Sequence, residues 1–377
     1  MSLSIRLFGG LVGMVFFAAM TASAFAQAHT VNESTWEILR SGLLFDGHND
    51  LPWQMRELGG GSFDRMDIAL TQPKLHTDIP KLKQSGLKAQ FWSVYVPAET
   101  DVTGDALVKT LEQIDIVHAM LKRYPETFEL ARTADDVERI AKTGRIASML
   151  GVEGGYSMQG SLPILKRFHD LGVRYMTLTH NKTIFWADAA TDKPQHDGLT
   201  EFGEEVVREM NRLGLLVDLS HVSPDTMRDA LRVTSAPVIF SHSSTRAICD
   251  HPRNVPDDIL RELPKNGGVV MINFFSGFIV PTEELKRDKN ARGTLQQVAD
   301  HIDHAVKVAG INHVGLGADF DGVTRLPVGL EDVTKYPALV QELVNRGYTR
   351  EQLHKILGKN ILRALRRAEV IANAPQR

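Results

Sequence analysis

The chain has 377 residues, 43% of them hydrophobic and 24% charged, with 43 Lys and Arg against 46 Asp and Glu. That balance belongs to an ordinary globular protein with length for a large core, and a net charge of −3 offers no basic surface for nucleic acid. The single cysteine, Cys249, excludes an intrachain disulfide and a cysteine-rich zinc cluster, so any metal must be held by imidazole and carboxylate.

The first segment reads as a targeting signal. Arg6 supplies a positive n-region, residues 7–20 are apolar, and Ala24-Phe25-Ala26 precedes Gln27 as a small-residue cleavage site. The apolar stretch falls short of the roughly 20 residues that a membrane-spanning helix needs. The expected organisation is a cleavable signal peptide over 1–26 and one domain over 27–377, exported to a periplasm or secreted. Losing the leader and its single Arg6 takes the net charge to −4. The polar residues 372–377 lack the hydrophobic tail of a lipid-anchor signal, so no stable membrane anchor is expected after cleavage. A homodimer is left open.

Along the rest of the chain, short apolar, β-branched or aromatic runs alternate with amphipathic helical stretches. Strands are predicted at 43–45, 89–96, 146–152, 174–179, 215–219, 238–240, 269–275 and 314–316. Helices are predicted at 107–123, 162–171, 202–213, 224–233 and 295–308, with further helices at 337–346 and 360–370 covering the barrel. Eight strands in this rhythm describe a single (β/α)8 TIM-type barrel. A doubly wound sheet would carry a glycine-rich phosphate loop after its first strand, where this chain has His48-Asn49-Asp50-Leu51-Pro52-Trp53. Gly59-Gly60-Gly61 reads as a flexible loop and Gly315-Leu316-Gly317 as a strand-end packing feature.

Metal-competent side chains recur where these strands end. His48 and Asp50 follow the first strand, and Glu153, His221, His242 and Asp319 end later ones. In a (β/α)8 barrel the C-terminal strand ends and the loops after them build the active site. Imidazole and carboxylate without thiolate suit zinc or a similar ion in a hydrolytic site. Three histidines and a glutamate exceed what one catalytic ion needs, so a pair of ions is expected. Glu153, between Gly151 and Gly154-Gly155, is the candidate to be shared. His301 and His304, beside Asp300 and Asp303, read instead as a solvated helix face, and Trp53 and Trp186 as either pocket wall or core.

The segments Phe45-Asp46-Gly47-His48-Asn49-Asp50, Gly151-Val152-Glu153-Gly154-Gly155, Leu178-Thr179-His180-Asn181 and Asp218-Leu219-Ser220-His221-Val222-Ser223 resemble those of the membrane dipeptidase (renal dipeptidase) family of zinc metallopeptidases. So do Ser241-His242-Ser243-Ser244, Arg253-Asn254-Val255-Pro256-Asp257-Asp258 and Gly317-Ala318-Asp319-Phe320-Asp321-Gly322-Val323, in order from about residue 40 to 365. The resemblance implies that His48 and Asp50 bind one Zn2+, that His221 and His242 bind a second, and that Glu153 bridges the two. It further implies that His180 contacts substrate and the oxyanion, that Arg253 holds the substrate's terminal carboxylate, and that Asp319 handles the proton of the attacking water and contacts the substrate amine. Phe278 stands where the animal enzymes place an aromatic hydroxyl, which changes one edge of the pocket.

The expected function is therefore a zinc-dependent dipeptidase acting through metal-activated water on dipeptides with a free C-terminal carboxylate, L-Xaa-D-Xaa included. A metal-dependent amidohydrolase or lactamase acting on another amide is the nearest alternative. A non-catalytic exported metal- or peptide-binding protein is the alternative from another class.

Overall fold

The computed structural model describes residues 31–374, so the signal peptide expected over 1–26 lies outside the described residues. Nine strands follow in chain order: β1 (Leu44–Asn49), β2 (Leu87–Ser93), β3 (Phe128–Leu130), β4 (Ile146–Glu153), β5 (Val173–Thr177), β6 (Leu216–Asp218), β7 (Ile239–Phe240), β8 (Val269–Ile272) and β9 (Val314–Leu316). All neighbours pair in parallel. A direct β2–β4 pairing closes eight of the strands into a barrel, and helices run between them, so the chain is a (β/α)8 barrel. The ninth strand is β3, which runs beside the first half of β4 from Phe128↔Ile146 to Leu130↔Ser148. Three residues, Phe-Glu-Leu, carry too little periodicity to announce a strand in the sequence.

The pleat explains how a uniformly apolar run positions a charge. Every residue of β4 is buried, as parallel strands covered on both faces require. Its Ala147 and Met149 join the barrel-interior cluster with Phe45, Phe91, Tyr175, Ile239 and Met271, while Ile146, Leu150 and Val152 pack in the cluster that includes the surrounding helices. With a period of two, Glu153 falls on the interior face one pleat beyond Gly151. In β1 the register to β2 slips between Asp46 and Asn49, where the first strand carries one residue more than its partner. A bulge of this kind re-aims the side chains after it and brings His48 inward.

The helices start and stop where local chemistry dictates. Glu201–Leu213 begins at Thr200, whose side chain accepts from the Gly203 N–H, buries Val206, Val207 and Met210, and ends at Gly214 with φ 77°. Asn360–Ala372 lies across the N-terminal end of the barrel, with Asn360 Nδ2 donating to the Ile311 and Val314 carbonyls and Arg363 to the Gly267 carbonyl, at the starts of β9 and β8. Gly60, expected in a flexible loop, is instead a left-handed helix C-cap with φ 59°. Among the described residues no helix is long and apolar enough to cross a membrane.

Candidate metal centre and active site

Small residues and unusual backbone bring the functional groups together. A Cβ on Gly47 or Gly317 would overlap the Ser241 carbonyl, so these two glycines let the loop after β7 enter the barrel mouth. Gly317 is thus the close-packing position its strand-end place suggests. A Cβ on Gly151 would overlap the Tyr175 ring, whose hydroxyl lies 2.8 Å from His48 Nδ1. His221 and Asp319 adopt left-handed φ of 69° and 64°, a conformation uncommon outside glycine and concentrated at functional sites.

The three imidazoles that the sequence assigns to metal all hold Nδ1 on a fixed partner. His48 Nδ1 faces Tyr175, His221 Nδ1 lies 3.1 Å from Asn181 Oδ1, and His242 Nδ1 lies 2.8 Å from Ser241 Oγ. Each Nε2 turns to Glu153. One carboxylate oxygen, Oε2, is 3.5 Å from His48 Nε2; the other, Oε1, is 3.0 Å from His221 Nε2 and 3.4 Å from His242 Nε2. Asp50 Oδ2 sits 3.1 Å from His48 Nε2. His180, assigned to substrate, has its Nε2 3.8 Å from Glu153 Oε1, and ligand atoms of Asp319 group with those of His48 and Asp50. His242 also groups with His48, so the two halves of the cluster interlock.

This donor set fits a divalent cation. His221 and His242 point Nε2 atoms at each other across 3.0 Å, and the buried Asp50 Oδ1 has no hydrogen-bond partner. Burial holds His221 and His242 well below the usual imidazole range, leaving them neutral as ligands must be. Burial also disfavours charge on His48, but the Tyr175 oxygen and the Asp50 and Glu153 carboxylates outweigh it and raise its pKa well above normal. Burial would raise Glu153 as well, yet the four surrounding imidazoles pull it well below the carboxylate range. Negative charge at Glu153 thus calls for positive charge around it. Burial raises Asp319 to about 8, against the lowering pull of His48 and with Asp50 and Glu153 adding to the rise.

Above the cluster opens a cavity of about 720 Å³, within the usual range for small-molecule sites. Arg253 lines it, fully desolvated, and burial lowers its pKa to about 10, so it remains a cation at neutral pH. Its Nη1 and Nη2 donate to Ser243 Oγ and the His242 carbonyl, each at 3.3 Å, and its guanidinium lies 5.2 Å from the Phe278 ring centre. Asp319 Oδ2 accepts from Asn273 Nδ2 at 2.9 Å. Trp53 and Tyr95 also line it, packed edge to face, with Tyr95 edge-on to His180 at 4.9 Å between ring centres.

All eight residues singled out in the sequence therefore meet at one place. Trp53 is a pocket wall, while Trp186 is buried in the core. The solvated face expected for His301 is corrected: it is fully buried, receiving the Thr245 N–H at Nδ1 and lying 3.0 Å from the Ile279 carbonyl at Nε2. Its helix packs on the barrel there, so the neighbouring aspartates mark the adjacent face. His304 binds Asp257 at 2.8 Å. Sequence reasoning missed Tyr95, Tyr175, Asn273 and the Ser241 hydroxyl that meets His242 Nδ1. Ser241 stood inside a quoted motif, but the motif does not show which atom its hydroxyl meets.

The family model of the membrane dipeptidases, peptidase family M19, matches residues 32–377. Among solved structures, a metallopeptidase from Rhodobacter sphaeroides, liganded with a phosphinate mimic of the dipeptide L-Ala-D-Ala, is 28% identical with a TM-score of 0.78, covering 86% of this chain and 99% of its own. The dipeptidase AC of family M19 is 27% identical with a TM-score of 0.78, covering 86% and 98%. The probable dipeptidase PvdM of Pseudomonas aeruginosa shares the fold at 21% identity and a TM-score of 0.82, covering 90% and 98%.

Proposed function

The chain belongs to the membrane dipeptidase family, peptidase family M19, and from that premise we propose that it hydrolyses dipeptides with a free C-terminal carboxylate, L-Xaa-D-Xaa among them, using two zinc ions. It is an enzyme of a metallopeptidase family; the substrate, the number of ions and the roles below are our reading. The observation that carries it is the split of Glu153, one oxygen toward His48 and the other toward His221 and His242, beside a desolvated Arg253. The dipeptide mimic held by the Rhodobacter relative supports the same substrate class.

In this reading His48 and Asp50 would hold one ion, His221 and His242 the other, and Glu153 would serve both. Ions bound there would acidify water toward neutrality and polarise the scissile carbonyl. Arg253 receives the substrate carboxylate, a task for which a buried guanidinium is suited. Because Nη1 and Nη2 are tied to Ser243 and His242, the fork is already oriented. Asp319, with Asn273 holding Oδ2 in place, takes the proton of the attacking water on its carboxylate and passes it to the leaving amine. His180, braced by Tyr95, donates to the developing oxyanion and then releases it with the product. Export, and peptides from cell-wall turnover as natural substrates, complete the proposal.

The test is turnover of free and C-terminally amidated L-L and L-D dipeptides by the parent and by Arg253→Met. The parent should cleave the free forms and leave the amides nearly untouched. Loss of a charge-assisted contact of about 1.5–3 kcal/mol should raise KM roughly 10- to 100-fold with a smaller change in kcat. Equal rates on free and amidated substrates would sink the dipeptidase reading in favour of a broader amidohydrolase.

A further inference from the structure

Asp218, fully buried at the C-terminal end of β6, is met by four donors in an ordered way. Its Oδ1 accepts two backbone N–H groups, from Ser220 at 3.1 Å and Ser241 at 2.8 Å. Its Oδ2 accepts two hydroxyls, from Thr177 at 2.5 Å and Ser241 at 2.6 Å. A carboxylate only accepts, and a serine has one proton to give. With that proton committed to Asp218, Ser241 Oγ must accept on its other side, where His242 Nδ1 lies at 2.8 Å. His242 is thereby protonated on Nδ1, and its Nε2 lone pair faces Glu153 Oε1 at 3.4 Å and His221 Nε2 at 3.0 Å.

We infer that Asp218 and Ser241 are positioning residues that fix the tautomer of His242 and so set how tightly the His221–His242 half of the cluster holds a divalent cation. The inference rests on reading that cluster as a metal centre. It has a directional consequence that mere packing would lack. In Asp218→Asn the amide oxygen must stay at Oδ1, because two backbone N–H groups point there. The amide nitrogen then replaces Oδ2 and donates to Ser241 Oγ. Ser241 turns its proton to His242 Nδ1, the imidazole proton moves to Nε2, and the lone pair facing the cluster is lost. Ser241→Ala removes the relay without imposing the wrong tautomer. Thr177→Val removes a donor from the same Oδ2 and leaves the relay intact.

The experiment is competition for zinc between a chromophoric chelator and the purified chain, with thermal unfolding of every variant as a check on folding. Orienting partners of metal ligands typically contribute 10- to 100-fold in affinity, so Ser241→Ala should weaken one zinc by about that much. Asp218→Asn should weaken it further, and Thr177→Val should bind like the parent. In labelled-histidine nitrogen NMR, His242 should change from the Nδ1–H to the Nε2–H form in Asp218→Asn. Parent-like zinc affinity in Asp218→Asn, or an unchanged His242 tautomer, would overturn the relay while leaving the metal centre standing. A parent chain that binds no zinc would bring down the metal centre itself, and the relay with it.

Discussion

The two ends of the barrel strands are equally buried and chemically opposite. Phe45, Phe91, Met149, Ile239 and Met271 fill the interior with apolar volume, and none is accessible to solvent. Three or four residues further along three of these strands or just beyond them stand His48, Glu153 and His242, and Asp218 ends β6, all nearly inaccessible. The first set stabilises the fold by leaving water. The second set gives up hydration that its neighbours only partly replace, as the unpartnered Asp50 Oδ1 beside it shows. The apolar end is thus the rigid base on which the costly end can be held in shape.

The sharpest way to break that comparison is at Glu153, where both halves of the cluster converge. Glu153→Gln removes a buried charge facing four imidazoles, and breaking such a group costs about 3–5 kcal/mol. Elemental analysis should show zinc falling well below the parent level and activity lost with it, while the far-ultraviolet spectrum stays native. Full zinc content in this variant would contradict the bridging role.

Asp319→Asn should act mainly on chemistry. Removing a general base costs roughly 10²- to 10⁴-fold in rate, so kcat should fall by that much with zinc retained and a far smaller change in KM. Normal turnover would move the proton to another group.

At the other end, Met149→Ala should reverse the pattern. Large-to-small changes of this kind cost about 2–5 kcal/mol of stability, to be read from urea unfolding, with kcat/KM of the remaining folded enzyme close to the parent's. A variant that kept its stability but lost activity would dissolve the division of labour between the two ends.

A last effect is one of pH. In protein stripped of metal, burial beside Asp50 and Glu153 lets folded Asp319 keep its proton well above the usual carboxylate range, whereas the unfolded chain releases it at about pH 4. The folded state therefore binds more protons across that window, and stability is lost as pH rises through it. Asp319→Asn should raise the melting temperature of the stripped protein, by more at pH 8 than at pH 5. An equal gain at both values would show that Asp319 is not the group responsible.

Much of the site was legible because its residues carry their own signal. A histidine or carboxylate ending an apolar run stands out, and a series of them on successive strands locates one end of a barrel. The strand runs were legible for the same reason, since buried parallel strands read as continuous Val, Ile, Leu and Met. β3 was not, because three residues give no period. His301 was misread because aspartates on a neighbouring helix face masked a side chain that points to the core.

From the amino-acid order alone came the alternation of strands and helices, the identity of the donors and the exclusion of cysteine chemistry, all consequences of local pattern. Only the tertiary structure decided that Glu153 offers one oxygen to His48 and the other to His221 and His242, that Tyr175 crosses Gly151 to reach His48, and that Asp218 commits the Ser241 proton and thereby the tautomer of His242. These are relations between residues up to 127 positions apart, set by strand register and by glycines where two backbones nearly touch. Local sequence signals specify which groups exist; closure of the barrel specifies which atom of each group faces which.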